Sequence, residues 1–306
     1  MTTAPLRGVY AAAITPFDAD LNPDTGKWLD HCRWLLANGC NGVAPLGTTS
    51  EANSIPLDQR LAMIQAYGAS DLPKQTAIFG TGACSIGEAV TLTRAAIGIG
   101  AGGQLMLPPF YYKNPSEDGL FGFFSEVIQR VGDDRMRLYL YHFPQMSATP
   151  IPVSLTVRLK KEYGDIVAGM KDSSGVWDYT AETLKEIPGF GAFVGNESFL
   201  LDALRAGGAG TISASTNLSA SLCQKVFANW QSDKADEYQR AATAVRAIFQ
   251  KYPTVPGQKT AKAHVSGDSS WLRQMPPLEA MPEAARAELI AALQAVGSLD
   301  SYLKVA

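Results

Sequence analysis

Residues 166–175 read Ile-Val-Ala-Gly-Met-Lys-Asp-Ser-Ser-Gly, in which an apolar run meets a lysine and then a turn of small polar residues. Such a run is typical of a strand buried on both faces, and apolar residues with helical spacing follow at Tyr179–Glu186. A buried strand that passes through a turn into a helix is the repeating unit of a parallel sheet. This segment therefore predicts the plan of the whole chain.

The same unit recurs eight times. Strands are predicted at Gly8–Thr15, Gly42–Leu46, Gln75–Gly80, Gly103–Leu107, Arg137–Phe143, Ile166–Met170, Ala192–Gly195 and Gly210–Ala214. Helices are predicted at Thr25–Ala37, Leu57–Ala69, Ser85–Ile97, Glu117–Val131, Val153–Tyr163, Tyr179–Glu186, Ser198–Ala206 and Ser219–Trp230. Eight such units close into a (β/α)8 TIM barrel. An open doubly wound sheet is the alternative, but no strand leads into G-x-G-x-x-G or a P-loop, so dinucleotide and ATP chemistry lose their main support.

The strand signals stop after residue 230. Amphipathic helices are predicted at Asp233–Lys251 and Glu279–Ala295, joined by a segment that contains Pro and Gly. We therefore divide the chain into a catalytic barrel, 1–230, and a C-terminal helical extension, 231–306. The extension is short for an independent domain but long enough to add a layer to the barrel or to make subunit contacts.

Composition excludes several classes of protein. The 306 residues are 46% hydrophobic and 18% charged, which is typical of a soluble globular protein. A net charge of −3 without a basic run argues against nucleic-acid binding, and the apolar runs are too short to span a membrane. The first residues lack the apolar region of a secretory signal, so we expect a cytoplasmic location. Four scattered cysteines and three distant histidines predict neither a disulfide framework nor a metal site.

Residues that follow the strands of a TIM barrel gather at one face, where catalytic groups lie. Lys171 ends the sixth strand, and because an ammonium there is costly to desolvate, a neutral amine that attacks a carbonyl is favoured. The alternative is a lysine that pairs with Asp172 or reaches solvent. In the fifth strand, Tyr139 and Tyr141 point to the same side, and Tyr141 is placed to transfer protons or else to pack in the barrel wall.

Two other strand ends carry weaker signals. The turn Gly47-Thr48-Thr49-Ser50-Glu51 offers backbone N–H groups and hydroxyls that suit a carboxylate, although a plain loop also uses these residue types. The fourth strand ends in an aromatic cluster at 108–113, which includes Tyr111 and Tyr112. Tyrosines on loops mark contact surfaces, here for a substrate or for a neighbouring subunit.

Together these segments resemble the dihydrodipicolinate synthase and N-acetylneuraminate lyase superfamily of Schiff-base aldolases. The matches are the 47–51 turn with the family's GTTGE-like loop, Tyr141 in Leu-Tyr-His-Phe-Pro with its tyrosine motif, and residues 169–175 with its G-x-K-D-S-S-G lysine motif. Met275-Pro276-Pro277-Leu278 is similar to its C-terminal proline-rich turn. The resemblance spans nearly the whole chain.

The resemblance implies a barrel with C-terminal helices, commonly a homotetramer of two tight dimers, that binds a 2-oxo acid such as pyruvate as an imine. Lys171 would be the nucleophile, Tyr141 the general acid and base, and Thr48 its proton relay. Thr48 and Thr49 would hold the substrate carboxylate. Tyr111 would be the tyrosine lent across the dimer interface, with Tyr112 as the alternative. Neither a metal nor an organic cofactor is expected.

The resemblance also bears on the substrate. In the lysine-biosynthesis branch an arginine after the tyrosine motif grips the second substrate's carboxylate, and here Met146 takes that place, so we predict that dihydrodipicolinate synthesis is not the main activity. Gly195, Asn196 and Glu197 lie where sugar-acid members of the superfamily contact the hydroxyl groups of their substrates. These residues could equally cap the next helix. The eighth strand end, around Ala214, is similarly polar.

The sequence therefore predicts a carbon–carbon lyase that cleaves or forms a 2-keto-3-deoxy sugar acid or a similar compound, with pyruvate as product or substrate. A dehydratase that uses the same imine is the nearest alternative, followed by dihydrodipicolinate synthase proper. A non-catalytic homologue that only binds a 2-oxo acid is the third alternative. A costly buried amine argues against the last.

Overall fold

The computed structural model describes residues 5–297 and 299, and its centre is a barrel of eight parallel strands. The strands are β1 (Gly8–Ala11), β2 (Gly42–Val43), β3 (Ile78–Gly80), β4 (Gly103–Met106), β5 (Leu138–His142), β6 (Val167–Asp172), β7 (Gly191–Val194) and β8 (Gly210–Ser213). They pair in the order β2-β1-β8-β7-β6-β5-β4-β3, and a parallel bridge from Val43 to Ala77 connects the two ends of this sheet. The predicted (β/α)8 barrel is confirmed, with all eight strands at the predicted places.

Twelve α-helices accompany the strands in the described part of the chain. They are α1 (Thr25–Ala37), α2 (Leu57–Ala69), α3 (Ile86–Gly98), α4 (Glu117–Val131), α5 (Pro144–Ser147), α6 (Val153–Tyr163), α7 (Trp177–Glu186), α8 (Leu200–Arg205), α9 (Thr216–Asn229), α10 (Ala235–Phe249), α11 (Thr254–Ser266) and α12 (Glu283–Ala295). Side-chain caps fix several starts: Asp24 accepts from the Lys27 amide at 3.0 Å, and Ser116 accepts from the Gly119 amide at 3.1 Å. Gly132 ends α4 in the left-handed conformation that favours glycine.

Two differences from the predicted elements affect the site. Strand β6 continues to Asp172, so Lys171 lies within the strand and is held by its ladder. The Pro- and Gly-containing segment of the extension forms α11 and is not a plain linker. Pro253 precedes that helix and Pro256 lies in its first turn, where backbone N–H groups have no helical acceptor, so proline is tolerated there.

The barrel interior is packed with side chains from alternate strands. Tyr139 is buried there, and its hydroxyl accepts a hydrogen bond from the Leu6 amide at 3.0 Å. Glycines at 103 and 169 make room for its ring, since a Cβ at either position would lie 2.6 Å from a ring carbon. Tyr139 therefore fills the middle of the barrel, and the large cavity lies above it.

The extension packs on the barrel through two apolar clusters, of which the first includes Ala235 and Ala242 of α10. The second is built around Leu218. Leu218 of α9 meets Val245 of α10, Ala261 of α11 and Leu289 of α12. This continuous core explains why the extension has no separate fold. The proposed boundary after residue 230 stays a prediction, and residues 298 and 300–306 of the predicted extension lie outside the described residues.

The four cysteines are free thiols, with Cys32, Cys40 and Cys223 buried and Cys84 exposed. Cys84 lies immediately before Ser85, the N-cap of α3. Among the described helices, none combines the length and the apolar character that crossing a bilayer requires.

Candidate active site

A cavity of about 510 Å³ opens at the carboxyl ends of the barrel strands. This volume is in the range of small-molecule binding sites. Six of the predicted site residues line it: Thr48, Thr49, Tyr141, Lys171, Gly195 and Ala214. The structure therefore gathers in one cavity residues from positions 48 to 214 of the chain.

Lys171 and Tyr141 form the centre of the site. They are direct partners in the register of strands β5 and β6, so the strand ladder places their side chains next to each other. The Lys171 Nζ donates to the Tyr141 Oη at 3.2 Å and lies 4.4 Å from the centre of the tyrosine ring. Lys171 is only 5% exposed, so its amine meets ligands in the cavity rather than bulk solvent.

Asp172, the neighbour of Lys171 in the strand, is engaged elsewhere. Its Oδ2 accepts from the Thr180 hydroxyl at 2.6 Å and its Oδ1 accepts from the Ser174 amide at 2.8 Å. Successive side chains of a strand point to opposite faces, which is why the carboxylate faces the helices and the amine faces the cavity. The alternative in which Asp172 simply neutralises Lys171 is therefore not supported.

The turn after β2 supplies the second part of the site. It forms a short 3-10 turn, Thr48–Ser50, whose internal hydrogen bonds use the amides of Ser50, Glu51 and Ala52. The donors that it can offer a ligand are thus those of Thr48 and Thr49. The Thr48 Oγ1 lies 3.4 Å from the Tyr141 Oη, so the threonine, the tyrosine and the lysine form a continuous chain of polar groups.

Glu51 braces this turn against the extension. Its backbone is left-handed, with φ of 59°, and its Oε2 accepts from the Met275 amide at 2.7 Å. Its other oxygen forms an ion pair with Lys259 of α11, and both side chains are fully buried. Burial raises the pKa of the Glu51 carboxyl and lowers the pKa of the Lys259 ammonium, while their mutual attraction opposes both changes.

Asn196 and Glu197, which follow β7, have different roles. Asn196 lines the cavity, and its Oδ1 also accepts from the Ser198 amide at 3.0 Å, so it caps the following turn. Glu197 is fully buried and lies outside the group of cavity-lining residues. Its carboxylate accepts from the hydroxyls of Ser213, at 2.6 Å, and Ser215.

Tyr111 and Tyr112 lie on the surface. They are 72% and 80% exposed, the centres of their rings lie 5.3 Å apart, and neither residue lines the cavity. The roles predicted for Tyr111 and for Glu197 as direct substrate contacts therefore stay predictions.

A large part of the cavity wall was not predicted from the sequence. The extension contributes Arg246, Gln250, Pro253, Thr254, Val255, Pro256, Pro277 and Leu278. Only Pro277 and Leu278 belonged to a motif. The sequence did not identify Arg246 as a residue of the site, because an arginine in an amphipathic helix is ordinarily exposed to solvent.

Within residues 5–297 and 299, no cluster of three or more His, Cys, Asp or Glu side chains is arranged to hold a metal ion. The chemical groups that line the cavity include an amine, a phenol, hydroxyls, amides, one guanidinium and the Glu51 carboxylate, which is already paired with Lys259. An amine beside a phenol in such a cavity is an arrangement that can form and break an imine.

Comparisons with known proteins agree with this geometry. The family model of the dihydrodipicolinate synthetase family matches residues 5–296. An uncharacterized DapA-like lyase of Chloroflexus aurantiacus is 33% identical over 257 residues, which are 83% of this chain and 85% of that protein. The 4-hydroxy-tetrahydrodipicolinate synthase of Agrobacterium fabrum is 29% identical over 299 residues, covering 96% and 99% of the two chains.

A solved structure extends the agreement to three dimensions. The crystal structure of dihydrodipicolinate synthase from Agrobacterium tumefaciens superposes with a TM-score of 0.88 at 31% identity, covering 94% of this chain and 99% of that one. The resemblance found in the 47–51 turn and in the tyrosine and lysine motifs is thereby confirmed. The chain belongs to the dihydrodipicolinate synthetase family, and the protein is an enzyme of the carbon–carbon lyase class.

Proposed function

We propose that the protein is a class I aldolase that cleaves a 2-keto-3-deoxy sugar acid, or a similar 2-oxo acid, into pyruvate and an aldehyde. The observation that carries this proposal is the 3.2 Å contact between the Lys171 amine and the Tyr141 hydroxyl inside the cavity. The contact supports imine chemistry because the amine can serve as the nucleophile and the phenol beside it can donate and accept protons.

The reaction begins with imine formation. The neutral amine of Lys171 adds to the C2 carbonyl, and the carbinolamine loses water with a proton supplied by Tyr141, which leaves a protonated imine. The substrate carboxylate lies against the hydroxyls of Thr48 and Thr49, which fixes C2 near the amine. Thr48, 3.4 Å from the Tyr141 hydroxyl, connects that phenol to the carboxylate end of the substrate.

Cleavage then follows from the positive imine nitrogen. Tyr141, now a phenolate, takes the proton of the C4 hydroxyl, the C3–C4 bond breaks, and its electron pair forms the C2–C3 double bond of an enamine while the imine nitrogen becomes neutral. The aldehyde leaves, and Tyr141 gives the proton that it took to C3 of the enamine, which restores the protonated imine. Water then hydrolyses this imine to pyruvate and the free amine of Lys171, and the phenolate of Tyr141 takes up the proton that is released. The imine thus provides the electron sink, and the carbanion that an unassisted cleavage would need is avoided.

Borohydride reduction in the presence of pyruvate tests the imine. We expect a covalent adduct on the peptide that contains Lys171, and no adduct in a Lys171→Arg variant. Failure of the wild-type protein to trap any 2-oxo acid would overturn the proposal and favour a non-catalytic binding protein. Product analysis completes the test, since an aldehyde appears with an aldolase and none appears with a dehydratase.

We also propose that the protein assembles as a homotetramer built from two tight dimers, located in the cytoplasm. Tyr111 and Tyr112, exposed on the loop after β4, support a dimer contact in which one tyrosine reaches the neighbouring site. Light scattering measures the mass of the assembly. Tyr111→Phe should lower turnover while Tyr112→Phe leaves it unchanged, and the reverse result would assign the role to Tyr112.

A further inference from the structure

The cavity extends well beyond the groups that handle pyruvate. Pyruvate is a three-carbon acid, whereas a cavity of about 510 Å³ accommodates a considerably larger molecule. The additional space is bounded on one side by the C-terminal end of α10, where Arg246 and the C-cap residue Gln250 lie one turn apart. Asn196 approaches from the end of β7. This region is called the distal subsite below, and its polar residues are Arg246, Gln250 and Asn196.

Arg246 is held in place from behind. Its Nη1 donates to the hydroxyls of Ser213 and Ser215, both at 3.3 Å, and lies 3.5 Å from the Glu197 carboxylate. These contacts use one nitrogen of a guanidinium that carries five N–H donors. The Arg246 side chain lines the cavity and is 19% exposed, so donors that these contacts leave unused can meet a ligand there. A fixed guanidinium with unused donors is a recognition group for a polar ligand.

The charge of this guanidinium is already compensated. Glu197 is fully buried and is stabilised by the hydroxyls of Ser213 and Ser215, so a carboxylate lies directly behind the arginine. Apart from Lys171, Arg246 is the one basic side chain among the described residues that line the cavity. The distal subsite therefore presents hydrogen-bond donors and amide acceptors with little net charge. That chemistry fits hydroxyl groups better than a second carboxylate or a phosphate.

We propose that Arg246, supported by Glu197 and assisted by Gln250 and Asn196, determines specificity by recognising hydroxyl groups on the part of the substrate beyond C4. The inference rests on the proposed aldolase function and deepens it, because it assigns the aldehyde product to the polyhydroxylated class. Arg246 contacts the leaving half of the substrate, while Lys171 and Tyr141 act on the half that becomes pyruvate.

Three substrates that differ only beyond C4 test the inference through pyruvate release. The first is 2-keto-3-deoxygluconate, which has hydroxyls on C5 and C6. The second is 4-hydroxy-2-oxopentanoate, which has none, and the third is 4-hydroxy-2-oxoglutarate, which has a carboxylate. In Arg246→Met, kcat/KM for the first should fall about 30-fold and for the second less than about 3-fold, since only the first loses a partner. Arg240→Met, an exposed arginine earlier on α10, is the matched control and should change neither.

The Glu197→Gln variant tests the charge argument. Removing the compensating charge should improve kcat/KM for 4-hydroxy-2-oxoglutarate relative to the hydroxylated substrate by about 10-fold. Because Arg246→Met leaves a buried carboxylate unpaired, the double variant Glu197→Gln/Arg246→Met serves as a folded alternative, and it should lose the preference for hydroxyls in the same way. Equal losses on all three substrates in the arginine variants, or a wild-type preference for the dicarboxylate, would overturn the inference.

Failure of the underlying function gives a different result. If the wild-type protein traps pyruvate on Lys171 but its selectivity does not depend on Arg246, imine formation is supported. The role proposed for the distal subsite is then wrong. If no 2-oxo acid is trapped, the proposed function fails first, and the distal subsite fails with it.

Discussion

The Lys171 Nζ and the Tyr141 Oη lie 3.2 Å apart because their residues are register partners in adjacent parallel strands. A strand ladder is among the most rigid parts of a protein, so this distance does not depend on a loop. The amine and its acid–base partner are thus positioned before any substrate arrives, and the proposed function depends first on this pair.

Replacing Tyr141 with Phe removes the phenol and keeps the ring. We expect kcat to fall at least about 100-fold, the range associated with a lost general acid–base group, and pyruvate trapping to slow as well. Steady-state kinetics and timed borohydride trapping measure both effects. Tyr139→Phe, two residues earlier in the same strand, is the control: it removes a hydroxyl that only accepts from the Leu6 amide, and turnover should be retained. Equal activity of the two variants would contradict the assignment.

Thr48 is expected to act through its hydroxyl. A Thr48→Val variant, which has nearly the same shape, should lower kcat about 10- to 100-fold because the proton path to Tyr141 is interrupted. Thr48→Ser keeps the hydroxyl and should recover most of the activity. Should valine and serine perform alike in a kcat comparison, the relay role would have to be abandoned.

The buried ion pair between Glu51 and Lys259 gives a prediction about stability and binding together. Lys259→Met leaves the Glu51 carboxylate buried without its cation, which should lower the free energy of unfolding by about 3–5 kcal/mol. The double variant Glu51→Gln/Lys259→Met should recover much of this loss. Urea unfolding measures it, with Lys251→Met as an exposed control.

The same pair should affect the substrate, because Glu51 braces the turn that carries Thr48 and Thr49. In Lys259→Met, KM for the 2-oxo acid should rise more than kcat falls. A variant that is destabilised yet binds the 2-oxo acid normally would show that the ion pair does not position Thr48 and Thr49.

Met146 occupies the place at which the lysine-biosynthesis branch carries an arginine, and it lines the cavity with 61% of its surface exposed. We predict slow condensation of pyruvate with aspartate semialdehyde by the wild-type protein. Met146→Arg should raise kcat/KM for that reaction about 10-fold or more, the effect of a charge-assisted hydrogen bond, and Met146→Leu should not. Rapid condensation by the wild-type protein would contradict this prediction.

Lys262 predicts a pH dependence of stability. It is buried, with its Nζ 4.3 Å from the centre of the Trp34 ring, and desolvation lowers the pKa of the ammonium from 10.5 to about 8. Between pH 8 and 10.5 the folded protein has released this proton and the unfolded chain still holds it, so the free energy of unfolding rises with pH. The rise should be of the order of 2 kcal/mol.

Chemical denaturation at pH 7.5 and pH 10.5 measures this contribution as a difference between variants. Lys262→Met should lose the rise, while Lys225→Met, an exposed lysine on α9, should keep it. An identical pH profile for the two variants would exclude Lys262 as the source.

The barrel could be predicted from the sequence because its signals are local. Each strand is a short apolar run beside a turn, and Lys171, Tyr141 and Thr48 stand at the strand ends, where a TIM barrel places its chemistry. The pattern could not reveal what distant segments contribute. Arg246 is ordinary in its own helix, and its role arises only from Glu197 and Ser213, which lie more than thirty positions earlier.

Proline and glycine misled the prediction of the extension for a related reason. The segment that contains Pro and Gly was interpreted as a connection between two helices. Pro253 is the residue before α11 and Pro256 lies in its first turn, where proline is compatible with a helix. For Glu197 the sequence left open whether the side chain contacts the ligand or caps the next helix. The structure turns its carboxylate toward the hydroxyls of Ser213 and Ser215.

The wall built by α10, by the start of α11 and by Pro277 and Leu278 is separate in sequence from the strands that hold Lys171 and Tyr141. Mutagenesis can therefore be directed at two independent stretches of the gene. Randomising codons 246–256 together with 277 and 278 would search for new aldehyde partners without disturbing bond cleavage.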